Sequence, residues 1–175
     1  MMQKLILGIF MILVAVMPVL ALDLSDFPTI FLDEVRVVVG KSAAAEDVVG
    51  AIDIVATLQQ RMGTLRRIGG AVLDTEVEDL EAMNTIVVGG PCINSAAAKL
   101  MNYPENCLEE FEAGKGLIRI YEFDNGKIAL LAAGTTALDT RRVTSVLANY
   151  GDYILSGGEM IVTGVSINDV RINSI

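Results

Sequence analysis

The chain has 175 residues, 22 of them acidic and 13 basic, for a formal net charge of −9 at neutral pH. A hydrophobic share of 53% excludes a disordered tail, and the acidity disfavours nucleic acid or anionic lipid as partner, since no basic cluster exceeds the pairs Arg66-Arg67 and Arg141-Arg142. With no histidine, neither a Ser-His-Asp nor a Cys-His nucleophile can be built, and no His-containing zinc site.

The opening segment has a short head with Lys4, an apolar run from Leu5 to about Val16, and Pro18 ahead of Val19-Leu20-Ala21. That pattern predicts a secretory signal peptide over residues 1–21, cut after Ala21. An uncleaved anchor is the competing reading, but Asp23 and Asp26 interrupt the apolar character before a comfortable spanning length. Residues 22–175 then make one ordinary domain, one unit more negative once Lys4 is lost.

In the mature chain, Val35 to Gly40 reads as a buried strand. Ser42 is placed to cap the next helix, with Glu46 and Asp47 in its first turn where the dipole favours negative charge. Val48, Ile52, Val55 and Gln59 share one face, widened by Val49, Ala51, Ile54 and Leu58, which predicts a helix packed deeply on a sheet. Gly63 supplies its stop. Ile68 to Leu73 fits either a short strand or a loop. Asp74 to Glu81 carries five acidic residues, read as a solvated face because a linear run does not show the converging oxygens a hard cation needs.

Thr85 to Gly89 is a second clear strand, running through Gly90 and Pro91 into an Ala-rich helix with Pro91 in its first turn. Gly89-Gly90 has neither the Lys-Ser/Thr of a P-loop nor the spacing of a dinucleotide site. The plain reading of Gly89, Gly90 and Pro91 is therefore a structural turn, with no cofactor and no metal. Cys92 and Cys107 bracket that helix, and export predicts a disulfide between them; a reactive thiol, its pKa lowered at a helix N-terminus, is the alternative.

Gly116 to Phe123 and Lys127 to Ala133 flank Asp124-Asn125-Gly126, a strong hairpin signal. The first arm, carrying Arg119 and Glu122, reads as an edge, and the second as central. Thr136 and Asp139 form a capping box, Val143, Val146, Leu147 and Tyr150 a helical stripe, and Glu159 to Thr163 a last strand. The sum is an α/β, layered Rossmann-like domain whose mixed sheet includes an antiparallel hairpin.

Four blocks, VVVGKSAAAEDVVGAIDIVATL (37–58), DTEVEDL (74–80), NTIVVGGPCINSAAAKLM (84–101) and NGKIALLAAGTTALDTRRVTSVLANY (125–150), resemble the α/β domain of archaeal surface-layer (S-layer) proteins. The resemblance spans roughly residues 35–164. It implies a secreted, non-enzymatic structural protein of the cell envelope, a component or associate of the surface layer, with itself or related S-layer proteins as partners. Divalent cations are the expected bridge between such acidic subunits, with Asp74, Glu76, Glu78, Asp79 and Glu81 the densest carboxylate run. A secreted ligand- or glycan-binding module without catalysis is the alternative, for which 4 Tyr, 5 Phe and no Trp provide little aromatic surface.

Overall fold

A computed structural model describes residues 22–31, 34–62 and 67–175; the signal segment 1–21, the Gly63 stop and Arg66 of the basic pair lie outside the described residues. Two faces of one sheet organise everything else. In chain order the elements are β1 (Glu34–Val39), α1 (Ala45–Met62), β2 (Arg67–Leu73), β3 (Asn84–Val88), α2 (Ser95–Leu100), β4 (Lys115–Glu122), β5 (Ile128–Gly134), α3 (Ala137–Ala148), β6 (Glu159–Ser166) and β7 (Asp169–Ser174). The strands lie in the order β2-β1-β3-β5-β4-β6-β7. The first four run parallel, whereas β4, β6 and β7 each run antiparallel to their neighbours.

Strand alternation sorts the core into two layers. Val35, Val37 and Val39 of β1, Ile86 and Val88 of β3, and Leu130 and Ala132 of β5 face α1 and α3, while Val38, Val87, Leu131 and Ala133 face α2. Covering both faces explains why β3 and β5 are buried at every position, with β5 apolar throughout. Segment 22–31 closes the α1/α3 layer with buried Leu24, Phe27 and Phe31, and Asp23 fastens it by accepting from the Gly157 N–H at 3.0 Å.

Several sequence expectations change. The buried face of α1 is narrower than its apolar content: Ala51, Ile54 and Leu58 are fully covered, whereas Val48 and Ile52 are 40% and 54% exposed. Ser42 does not cap α1. It sits in the preceding turn, and Asp47 Oδ2 reaches back to the Ala44 N–H at 3.0 Å. Pro91 likewise precedes α2 in a turn, and Asn94 is the cap. Segment 68–73, open between strand and loop, is part of β2, paired in parallel with β1.

β4 is central and not an edge; β2 and β7 are the edges. Arg119 misleads because its charge is met inside the sheet, by Glu159 directly opposite on β6 and by Glu110 at 2.6 Å. The final strand continues past Thr163 to Ser166 and turns back as β7, which alternates half-buried Val170 and Ile172 with exposed Asp169, Arg171 and Asn173. The Asp124-Asn125-Gly126 hairpin forms as expected, with Gly126 at φ 75°. The Asn125 side chain also ties it to the acidic loop, donating to the Glu81 carbonyl at 2.8 Å.

Candidate functional site

β2 and β3 flank β1 on opposite sides, so the chain direction reverses beside β1. In open α/β sheets that is where a crevice opens, beyond the carboxyl ends of the parallel strands. Here the crevice encloses about 320 Å³ and is walled by the segments that follow β1, β3 and β5: Asp47 and Ser42 from the first, Gly90 and Ile93 from the second, Thr135 and Thr140 from the third.

Of the two glycines in the turn after β3, Gly89 and not Gly90 takes the special backbone conformation. Gly89 has the positive φ, 97°. A Cβ on Gly90 would find its nearest atom, the Gly134 carbonyl oxygen, at an ordinary 3.5 Å. The tightest approach lies across the crevice, where a Cβ on Gly40 would overlap the carbonyl oxygen of Ile93. The Pro91-to-Asn94 turn thus lies directly against the end of β1.

Asn94, 1% exposed, locks that turn. Its amide donates to the carbonyls of Val88 at 2.8 Å and Val38 at 3.3 Å, and its carbonyl accepts from the N–H groups of Ala96 and Ala97 at the start of α2. Asp74 does similar work next door, accepting from the Lys41 N–H at 2.8 Å and from the N–H and hydroxyl of Ser95 at 2.7 and 2.8 Å. Burial opposes its charge, but these donors outweigh burial and hold the carboxyl below its ordinary range. Asp74 is therefore buried structure and no part of a solvated acidic face. Glu76 and Asp79 accept from the Leu73 and Glu81 N–H groups, and among the described residues no three acidic or cysteine side chains converge as for a metal ion.

Cys92 and Cys107 are joined in a disulfide, their Cα atoms 5.1 Å apart. Cys92 is exposed at the crevice rim, and Leu108, just past the second cysteine, forms part of the wall. The bridge closes a 15-residue separation, worth about 3 kcal/mol on the chain-entropy account. Replacing both cysteines by serine is expected to lower stability by about that amount. A urea midpoint unchanged by the double substitution would show that the loop is held by packing alone.

Asp47 is fully buried; its Oδ2 accepts from the Ala44 N–H, while the Thr140 hydroxyl stands near the carboxyl without closing a hydrogen bond to Oδ1. Burial pushes its carboxyl up; the Ala44 N–H and the Thr140 hydroxyl pull it partly back, and the Glu46 charge adds to the rise. Because the folded carboxyl holds its proton more tightly than the unfolded one, its contribution to stability is fully present below the ordinary aspartate range, near pH 4. It is lost as pH rises through the raised value. Asp47→Asn keeps an acceptor for the Ala44 N–H and cannot ionise. At pH 7 the variant should melt above the parent, and the difference should shrink or reverse near pH 4. Parallel melting curves across that range check this.

In sequence Gly89, Gly90 and Pro91 read as one turn, and the structure seats that turn, with Cys92 beside it, on the crevice. Asn94, ahead of Ser-Ala-Ala-Ala, is a helix cap readable from the sequence alone. Asp47 reads there only as a partner for the helix dipole. A scan against protein-family models finds no match for the chain, and a search of curated proteins finds none.

Proposed function

We propose that this chain is a secreted structural protein of the cell envelope that packs against copies of itself or related surface-layer proteins. The observation that carries the reading is a shallow groove of about 560 Å³ that gathers exposed Val49, Leu138, Val165 and Ile167 from α1, α3 and the β6–β7 turn region. Val165 is 81% exposed. Clustered apolar side chains on an otherwise acidic surface are a contact for another protein. The resemblance of its sequence blocks to the S-layer α/β domain is what suggests the partner class. The disulfide and the packing of Leu22 against the core, immediately after the expected cleavage point, support export. Among the described residues no helix is long and apolar enough to cross a membrane.

Charge sets the conditions of assembly. Mature subunits, one unit more negative than the full chain's −9, repel over roughly 10 Å at 0.1 M salt, so close packing needs screening or cations shared between neighbouring acidic loops. Light scattering and electron microscopy of the mature protein should show sheets or oligomers that grow with calcium, magnesium or salt and recede on chelation. Val165→Asp with Ile167→Asp should return the protein to monomers at unchanged secondary structure. A parent that stays monomeric under every condition overturns the proposal.

A further inference from the structure

We propose that β7 is a docking edge for the β7 strand of a second copy, the two strands pairing antiparallel across a two-fold axis centred on Ile172. The inference rests on the reading that copies of this chain associate, and it names a contact separate from the α1/α3 groove.

An edge strand offers unpaired N–H and C=O groups to any strand that fits, and proteins commonly blunt such edges with bulges, Pro or Lys. β2, the other edge, carries a bulge between Ile68 and Ala71. β7 contains neither Pro nor Lys, and the irregularity in its pairing falls on the β6 side, where Val165 is the extra residue. One close approach fixes which way the strand faces. A Cβ on Gly164 of β6 would overlap the Asp169 carbonyl oxygen, so Asp169 turns its backbone groups toward β6. By alternation Arg171 and Asn173 do the same, and Val170, Ile172 and Ser174 present theirs outward.

Opposed residues in an antiparallel pair turn their backbone groups the same way, so two copies of β7 can shift register only in steps of two. The axis can then pass through Val170, Arg171 or Ile172. Centred on Arg171, two guanidinium groups lie directly opposite each other, which is destabilising. Centred on Val170, Ile172 falls opposite the partner's Asn168, a turn residue, and little strand is paired. Centred on Ile172, Val170 to Ser174 pair along their whole length, and Arg171 meets the partner's Asn173 without charge conflict. Ile172 packs on the α1/α3 layer and borders an open groove of about 550 Å³, in which Ile154 is 85% exposed. The partner's Ile172 extends the apolar surface at that groove. A strand edge alone is small beside the roughly 1,200–2,000 Å² of a stable interface, so this contact forms within the assembly that the α1/α3 groove holds together.

Amide hydrogen exchange of the mature protein, free and assembled with calcium, magnesium or salt, tests the geometry residue by residue. In the monomer the amides of Val170, Ile172 and Ser174 should exchange faster than those of Arg171 and Asn173, and assembly should slow the first three by about tenfold or more. Asn173→Asp sets a carboxylate opposite the partner's Arg171, twice across the axis, and should lower the protein concentration needed for assembly about fivefold. Asn173→Arg should raise it by about the same factor. Net charge alone gives the opposite signs, because the first variant is more acidic and the second less, and position 173 is exposed, so the fold is not at stake. Assembly in which the outward amides stay fast, or in which the two variants follow net charge, overturns the β7 contact and leaves association through the α1/α3 groove standing. A parent that stays monomeric under every condition overturns both.

Discussion

Asn94→Ala should cost about 4 kcal/mol and lower the melting point by roughly 10 °C. The substitution removes the acceptor for two N–H groups at the start of α2, a loss of about 1 kcal/mol for a helix cap. It also strips the amide from the Val38 and Val88 carbonyls in a site that is 1% exposed, and each buried group left unpaired costs about 1–3 kcal/mol. For a chain of this size each kcal/mol moves the midpoint by about 2–4 °C. Asn94→Asp separates the two roles. Aspartate is an equally good cap, but it presents an oxygen where the amide donated, so two carbonyls face a carboxylate. Chemical denaturation should find Asn94→Asp at least as damaging as Asn94→Ala. If Asn94→Asp matched the parent, the amide would be contributing nothing to the joint between β1, β3 and α2.

Where local signals carry the information, the sequence reads well. The Asn125-Gly126 turn needs only residues that tolerate positive φ, and the Thr136–Asp139 capping box needs only a spacing of three; both stand as expected, each half of the box engaged. Apolar runs at β1, β3 and β5 are legible because strands covered on both faces carry few polar residues. Non-local contacts are what sequence hides. Arg119 looks like an edge residue until Glu159 is seen opposite it, and that pairing exists only because β6 lies beside β4. The exposed side of α1 is invisible for the same reason. Its apolar residues surround more than half of the helix, and packing against α3 and the sheet covers only part of them.

The crevice was still less legible. Its walls come from three segments made neighbours by the strand order, and no run of adjacent residues announces it. Asp47 illustrates the difficulty. In sequence it is one of two acidic residues in a helix's first turn, an arrangement ordinarily explained by the dipole. In the fold Glu46 is exposed, whereas Asp47 is sealed between α1 and α3 with an oxygen left over. Identical chemistry at adjacent positions acquires different meaning through burial alone.

Gly40→Ala should approach the damage done by the loss of Asn94, at about 2–4 kcal/mol, although Gly40 carries no unusual φ. Here the constraint is space. The added methyl would overlap the Ile93 carbonyl oxygen, a backbone atom that cannot swing aside as a side-chain tip can. Relief requires the Pro91-to-Asn94 turn to lift from the end of β1. Overpacking of this kind costs about 1–3 kcal/mol, and the lift strains the Asn94 bond to Val38, adding roughly 1 kcal/mol more. Gly90→Ala provides the contrast within the same crevice, because its methyl would meet only ordinary contacts with Gly134 and Phe111 and should change stability by less than about 1 kcal/mol. Thermal melts of the two variants side by side decide the matter. Equal effects would mean that the turn yields easily, and that the closeness of Ile93 to β1 is not what keeps the crevice in shape.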